Sequence, residues 1–314
     1  MTVAFVFPGQ GSQVAGMGRE LAVAMPAARL VFEEVDESLK QNLSRLMFEG
    51  PEDELMLTEN AQPALMAASL AVVRVLEDEC GIVLGERAAF VAGHSLGEYS
   101  ALAAAKALAL PDTARLLRKR GRAMQDAVAV DAGAMVAIIG VDLDTARRLA
   151  DDAAQGEVCE PANDNAPGQV VLSGDRAAVE RAAAAAPDAG ARRAIMLPVS
   201  APFHCALMAP AAEAMSEALA EVDSVPPVVP LVANVTARPV SDPDTIRRGL
   251  IEQVTAMVRW RESVLYMRDA DVDTLVELGA GSTLTGLSRR IDPDLRALSA
   301  GTPHDVEALV RALA

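Results

Sequence analysis

The chain has 314 residues, a length that suits one large domain or a large domain carrying a smaller one. Its 28 basic and 44 acidic residues give a net charge of −16, which argues against nonspecific binding to nucleic acid or to an anionic membrane. Hydrophobic residues make up 51% of the chain and aromatic residues only 3%, which favours a helix-rich α/β protein over an all-β one.

The cysteines and the N-terminus indicate a reducing compartment. Cys80, Cys159 and Cys205 are far apart and form no CxxC pair, so the sequence predicts neither a disulfide framework nor a zinc site. Met1 leads directly into an apolar run without a preceding basic segment, which is typical of a first strand and not of a signal peptide. No apolar stretch is long enough for a membrane span. We therefore expect a cytoplasmic protein.

The first third of the chain predicts two buried strands separated by helices. Apolar runs at 3–7 and 88–93 have the length and composition of strands. Between them, apolar and charged residues alternate at helical spacing from 19 to 80, interrupted by a turn at 49–51.

The sequence pattern of segment 133–199 predicts a separate structural unit. It predicts, in order, a strand (133–140), a helix (142–154), a weak strand (157–162), a turn with the sequence NDNAPG (163–168), a strand (169–174), a helix (175–186) and a last strand (191–200). The order β-α-β-β-α-β is the ferredoxin-like pattern.

The remainder of the chain returns to alternating helices and strands. It predicts a helix (210–221), a strand (230–235), a helical stretch (244–270), a strand (274–279) and a further helix. The simplest architecture is an α/β domain built from both ends of the chain, with a small domain inserted between them. We place the large domain at 1–128 and 200–314 and the small domain at 129–199.

The chemistry is indicated by Gly93-His94-Ser95-Leu96-Gly97, which fits G-x-S-x-G. An apolar strand precedes it and a good helix former follows, which is the strand, sharp turn and helix that expose a nucleophilic serine. The glycines allow the strained turn and keep side chains away from the serine oxygen. The helix N-terminus also places backbone N–H groups, including that of Leu96, where an oxyanion develops.

The general base follows by elimination, because a serine nucleophile needs one within reach and the chain has three histidines. His94 is fixed beside Ser95 in the turn and should point away from it, and His304 lies at a predicted helix start on the surface. His204 remains, where the chain returns from the small to the large domain. The sequence leaves two arrangements open: a Ser-His pair oriented by a backbone carbonyl, or a full triad.

Several blocks of this chain resemble, in order, those of the malonyl-CoA:acyl carrier protein transacylase family. They are FVFPGQGSQ (5–13), GHSLGEYSAL (93–102), RGRAMQ (120–125), GAMVAIIG (133–140), NAPGQVVLSG (165–174), FHCALM (203–208) and LGAGSTLTGL (278–287). The resemblance covers nearly the whole chain. It implies a hydrolase-like core with an inserted ferredoxin-like domain.

The resemblance also implies residue roles that spacing alone does not give. Gln10 would contribute its backbone N–H to the oxyanion hole with that of Leu96. Arg120 would pair with the free carboxylate of the malonyl group, and Gln253 would help to fix the histidine. Phe203, which precedes the histidine, resembles the pattern of malonyl-selective domains and would bind substrate.

The implied reaction loads malonyl groups from malonyl-CoA onto acyl carrier protein through a malonyl-Ser95 intermediate, without a metal or tightly held cofactor. Three other functions stay open at this point. A serine esterase or thioesterase would use water in place of the thiol. An acyltransferase of a polyketide pathway would have the same malonyl-loading activity. A non-catalytic subunit that docks carrier protein is the third.

Overall fold

The computed structural model describes residues 1–199 and 201–313. Ser200, at the predicted boundary between the two domains, and Ala314 lie outside the described residues. Within the described ranges, no helix combines the length and apolar character needed to cross a membrane.

Helices fill the chain between the first two strands, and strands and helices follow one another more closely after the second strand. The strands are β1 (Val3–Phe7), β2 (Ala88–Gly93), β3 (Gly133–Ile139), β4 (Cys159–Ala166), β5 (Gln169–Asp175), β6 (Arg193–Met196), β7 (Leu231–Val232), β8 (Pro239–Val240), β9 (Thr274–Leu278) and β10 (Arg296–Ala300). The helices are α1 (Arg19–Ala24), α2 (Pro26–Leu39), α3 (Leu43–Glu49), α4 (Glu52–Met56), α5 (Thr58–Asp78), α6 (Leu84–Arg87), α7 (Gly97–Ala104), α8 (Leu110–Asp126), α9 (Leu143–Ala154), α10 (Arg176–Ala185), α11 (Ala209–Ala220), α12 (Pro243–Gln253), α13 (Trp260–Asp269), α14 (Thr283–Ile291) and α15 (Pro303–Leu313).

A six-stranded sheet is built from both ends of the chain. Its order is β10-β9-β1-β2-β7-β8, and every pairing is parallel except the last, between β7 and β8. All five residues of β1 are buried, as a central parallel strand covered on both faces requires. The carboxyl ends of β1 and β2 therefore lie side by side, with Phe7 opposite Gly93, and the loops that follow them meet there.

The main core lies between this sheet and a helical layer. Helix α5 is buried along nearly its whole length and packs against α2 and α8. A helix with apolar or small residues on all sides is stable only when it is surrounded by protein. This packing places α8, and with it Arg120, against the interior.

A second sheet has its own core. It is antiparallel, with the order β4-β5-β3-β6, and the helices α9 and α10 cover one face. The buried residues Val136, Ile138 and Leu172 pack there against Ala150 and Val179. The chain order β3-α9-β4-β5-α10-β6 is the order that the sequence predicted.

The predicted turn NDNAPG is wrong for its first four residues, because β4 continues to Ala166. The polar side chains suggested solvent, but they are held by protein. Asp164 is buried, accepts from Arg261 and donates its backbone N–H to the Val258 carbonyl at 3.0 Å. This contact joins the small sheet to the segment before α13.

Other predicted bounds also change. The helical stretch 244–270 is two helices, α12 and α13, and the strand 230–235 is reduced to the two residues of β7. Within 191–199 the predicted strand is confined to β6, and its last residue, Ser200, lies outside the described residues. Strand β10 was not predicted, because its alternation of polar and apolar residues is short.

Candidate active site

The turn between β2 and α7 holds Ser95 in a left-handed backbone conformation, with φ of 53°. A Cβ on Gly93 would lie 1.9 Å from the Gly97 carbonyl, and one on Gly97 would lie 2.2 Å from the Phe7 carbonyl oxygen. No other residue fits at either position without moving backbone. The two glycines of G-x-S-x-G are therefore steric requirements of the turn that presents the serine.

His204 contacts the serine hydroxyl. Ser95 Oγ donates to His204 Nε2 at 2.8 Å, and His204 Nδ1 donates to the backbone carbonyl oxygen of Gln253 at 2.8 Å. The second bond fixes the tautomer that leaves Nε2 free to accept a proton. Of the two arrangements that the sequence left open, the structure has the pair oriented by a backbone carbonyl.

Burial keeps this imidazole neutral. His204 is 4% exposed, and its burial, with the nearby charge of Arg120, lowers the pKa of the ring to about 3. At neutral pH the ring is therefore unprotonated and can act as a base. It would carry charge only after taking the proton of Ser95.

Arg120 lies buried beside the same hydroxyl. It is 1% exposed although it belongs to a basic stretch of α8, because its side of the helix faces the interior. Nη2 donates to Ser95 Oγ at 3.1 Å and to Gln253 Oε1 at 2.8 Å, and Nη1 donates to Gln62 Oε1 at 2.8 Å. The acceptors that these bonds reach are all neutral.

The two expected donors of an oxyanion hole face the same cleft. Gln10 and Leu96 line a cavity of about 580 Å³ together with Ser95, Arg120 and His204. Within residues 1–199 and 201–313, neither backbone N–H has a hydrogen-bond partner, so both can donate to a ligand oxygen. Phe203 lines this cavity as well, whereas Gln253 lies behind it, fully buried.

The other two histidines are placed as predicted. His94 turns away from Ser95 and donates from Nε2 to Asn165 Oδ1 at 2.8 Å, and the side chain of His304 is 86% exposed. Cys205 is buried, and burial raises the pKa of its thiol to about 11, which makes it a packing residue and a poor nucleophile. No group of three or more His, Cys, Asp or Glu residues in the described ranges could hold a metal ion.

Sequence reasoning missed the polar residues beneath the turn. Asn234 Oδ1 accepts the backbone N–H of Ser95 at 2.8 Å, and its Nδ2 donates to the Gly93 carbonyl at 2.7 Å. Glu98 accepts from Asn234 and Gln253. The signal available was a carboxylate three residues after the nucleophile, in an otherwise apolar and small-residue helix.

Comparison with known proteins identifies the family. The model of the acyl transferase domain matches residues 4–292. The malonyl CoA-acyl carrier protein transacylase of Escherichia coli (strain K12) is 45% identical, with 97% of each chain covered, and that of Bacillus subtilis (strain 168) is 44% identical, with 99% of this chain and 97% of that protein covered. The chain belongs to the malonyl CoA-acyl carrier protein transacylase family.

Solved structures of the family agree over the whole chain. The crystal structure of an acyl-carrier-protein-S-malonyltransferase from Bartonella henselae is 54% identical, with a TM-score of 0.97, and the match covers 100% of this chain and 99% of that one. A malonyl-transacylase solved in complex with a type II PKS acyl-carrier protein is 41% identical, with a TM-score of 0.96 over 99% of this chain and 100% of that one. The resemblance noted in the sequence is confirmed: the protein is an acyltransferase of this family.

Proposed function

We propose that the protein transfers malonyl groups from malonyl-CoA to the phosphopantetheine thiol of an acyl carrier protein, as [acyl-carrier-protein] S-malonyltransferase, and so supplies fatty acid synthesis. Full-length relatives that carry this name support the activity. One observation in this chain carries the malonyl assignment: a buried guanidinium lies 3.1 Å from the nucleophilic oxygen, where the free carboxylate of the acyl group would need a cation.

In the first half of the reaction, Ser95 Oγ attacks the thioester carbonyl of malonyl-CoA while His204 Nε2 takes its proton. The backbone N–H groups of Gln10 and Leu96 hold the oxyanion of the tetrahedral intermediate. Collapse of the intermediate breaks the carbon-sulfur bond. His204 returns the proton to the departing thiolate, and malonyl-Ser95 remains.

The second half reverses these steps with a different thiol. His204 takes the proton of the phosphopantetheine thiol, the sulfur attacks the malonyl ester, and Ser95 recovers its proton as it leaves. Because Gln253 holds His204 through a backbone carbonyl, the imidazolium forms without a facing carboxylate. The ring therefore gives the proton up readily, which suits a transfer that runs in both directions.

Arg120 and Phe203 would select the acyl group. The planar guanidinium can hold a carboxylate through two parallel charge-assisted hydrogen bonds, which acetyl groups cannot make. The neutral acceptors that it now contacts, Gln62 and Gln253, compete weakly with a carboxylate. Phe203, 8% exposed and on the cavity wall, would crowd an α-methyl branch.

We infer a hydrolase-like catalytic domain from 1–128 and 200–314 and a ferredoxin-like domain from 129–199. The strand order of the small sheet and its separate core support this division. A cytoplasmic location is consistent with three free cysteines in the described residues.

The hydrolase and polyketide alternatives are testable against this proposal. The intact mass of the protein should rise by one malonyl group after mixing with malonyl-CoA, and the label should be lost on adding a carrier protein with its phosphopantetheine arm. Rapid loss of the label to water without a thiol would indicate a hydrolase. A matched pair of carrier proteins, one from each pathway, separates fatty acid from polyketide synthesis by their relative kcat/KM.

A further inference from the structure

The carboxylate of Glu98 has no part in the reaction above, yet it is buried directly beneath the nucleophile. Glu98 lies in the first turn of α7 and is 2% exposed. Its Oε1 accepts the backbone N–H of Asn234 at 3.3 Å, and its Oε2 accepts from Nε2 of Gln253. Each carboxylate oxygen thus faces one N–H donor.

Gln253 stands between this carboxylate and Arg120. Its Oε1 accepts from Arg120 Nη2 at 2.8 Å, while its Nε2 donates to Glu98 and to the Ser95 carbonyl oxygen at 3.0 Å. The amide has only one orientation that satisfies both neighbours: oxygen toward the guanidinium and nitrogen toward the carboxylate.

The separation of the Glu98 carboxylate from the Arg120 guanidinium meets two opposing requirements of the site. A fully buried guanidinium is costly without a compensating negative charge. A carboxylate bonded directly to it would offset that cost, but it would also occupy the N–H groups that the malonyl carboxylate needs. With one amide interposed, the compensating charge is near while the direct acceptors stay neutral, and an incoming carboxylate can displace them.

We propose that Glu98 is a positioning residue for malonyl selectivity: it fixes the Gln253 amide with its oxygen on Arg120 and holds the counter-charge one amide away from the guanidinium. The inference rests on the proposed function. Burial raises the pKa of Glu98 to about 7, even though its hydrogen bonds to Gln253 and Asn234 and the charge of Arg120 act in the opposite direction. The geometry supports the ionised form: both oxygens accept, one from the backbone N–H of Asn234 and one from Gln253 Nε2.

Glu98→Gln tests the orientation of the amide. The substituted side chain has one acceptor where two donors converge, and the backbone N–H of Asn234 cannot turn away. The new NH₂ group therefore faces Gln253 Nε2, and relief comes from flipping the Gln253 amide, which points its own NH₂ at Arg120. The NH₂ group of Gln253 and the N–H groups of Arg120 then repel each other, which moves the guanidinium. We therefore expect the binding of a malonyl carboxylate to weaken more than the binding of an acetyl methyl group.

Glu277→Gln is the matched control. Glu277 is 1% exposed, and its two oxygens accept the backbone N–H groups of Leu284 and Thr285 at 3.1 and 2.7 Å. The substitution removes the same atom from an equally buried carboxylate that also faces two donors. It lies outside the cavity that contains Ser95, so it reports the cost to the fold alone.

The measurement is kcat/KM for malonyl-CoA and for acetyl-CoA with one carrier protein. Glu98→Gln should lower the malonyl-to-acetyl ratio by about tenfold or more, the effect of one misplaced charged hydrogen bond. Glu277→Gln should lower thermal stability and leave the ratio unchanged. Glu98→Asp keeps the charge and should restore most of the ratio. An unchanged ratio in Glu98→Gln, with activity lost equally for both substrates, would overturn the proposal.

If Glu98→Gln does not fold, Gln253→Glu provides a second test of the malonyl-to-acetyl ratio of kcat/KM. At this spacing the two carboxyl groups share a proton, and negative charge then sits directly on Arg120. The ratio should fall at least as far as in Glu98→Gln, and retention of the wild-type ratio would contradict the proposal. A wild-type protein without malonyl preference would instead refute the proposed function, so the two failures are distinguishable.

Discussion

Two strand-loop-helix connections of the six-stranded sheet each contain a buried glutamate, and they use it differently. Near the end of β9, Glu277 accepts the backbone N–H groups of Leu284 and Thr285, so its carboxylate occupies the N-terminus of α14. After β2, Glu98 lies in the first turn of α7 and accepts from Asn234 and Gln253 instead of from the N–H groups at the helix end.

The consequence is one sealed helix end and one open end. Carboxylates are stabilising at helix N-termini because unpaired N–H groups and the helix dipole concentrate positive potential there. In α14 the protein satisfies that potential itself. In α7 it leaves the N–H of Leu96 without a partner among the described residues, directly beside Ser95. A structural connection and a reactive one thus differ in where a single carboxylate is placed.

The largest expected difference between the two connections is the effect on activity of replacing the serine in each, Ser95 or Ser282, with alanine. Ser95→Ala should abolish both the malonyl-enzyme and transfer to carrier protein, since the hydroxyl is the only covalent acceptor in the proposed path. Ser282→Ala, in the exposed β9-α14 loop, should leave both unchanged. Intact mass after addition of malonyl-CoA measures the first, and a thiol-release assay measures the second. A mass gain in Ser95→Ala would refute the assignment.

The two connections should also differ in how the free energy of unfolding responds when a glycine in the first turns of the helix is replaced by alanine. A Cβ on Gly97 meets the Phe7 carbonyl oxygen at 2.2 Å, so Gly97→Ala should lower the free energy of unfolding by about 3 kcal/mol or more. Around Gly286 in α14 there is nothing within 4 Å of such a Cβ. Gly286→Ala should therefore stabilise the protein by about 0.5–1 kcal/mol. Urea unfolding of both variants checks the pair, and similar effects would show that the turn has no special constraint.

Substitution of Arg120 tests which acyl group binds beside the open N-terminus of α7. In Arg120→Ala the malonyl carboxylate enters the cleft unpaired, which should cost about 1.5–3 kcal/mol, or about 10- to 150-fold in malonyl kcat/KM. Acetyl transfer should fall far less or rise. Arg120→Lys keeps the charge without the planar fork and should fall between the two. An unchanged malonyl-to-acetyl ratio in Arg120→Ala would mean that another residue binds the carboxylate.

The sequence was sufficient to predict that Ser95 and His204 lie together, as they do in the structure, because a strand-turn-helix pattern and elimination among three histidines are local or compositional arguments. It was not sufficient for Arg120 without the family resemblance, since burial of one arginine among several depends on how α8 packs against α5. Asn234 and Glu98 were missed for a related reason. Their contacts join residues 136 and 139 positions apart, and no local pattern reports which amide faces which carboxylate.

The pH dependence of acylation is the smallest expected effect and concerns His204. Burial lowers the pKa of this ring to about 3, so Nε2 stays free to accept the proton of Ser95 across the range in which an ordinary histidine becomes charged. Glu98 titrates in the same range, because burial raises its pKa to about 7, so the rate is measured in Glu98→Gln. In that variant, acylation by acetyl-CoA, which lacks a carboxylate for Arg120, should change little between pH 8 and pH 5. A histidine with the usual pKa near 6.5 would lose about thirtyfold at pH 5.

Unlike the rate, stability should fall as the pH is lowered. The unfolded chain binds a proton to His204 below its ordinary pKa, and the folded protein resists binding it until the pH is near 3. The contribution of this group to the free energy of unfolding is thus present above about pH 6.5 and is lost as the pH falls below that value. Stopped-flow acylation of Glu98→Gln and urea unfolding of wild type and His204→Ala, at matched pH values, separate the two effects. A thirtyfold loss of acylation rate by pH 5 in protein that is still folded would show that the ring titrates normally, and the buried, neutral base would have to be abandoned.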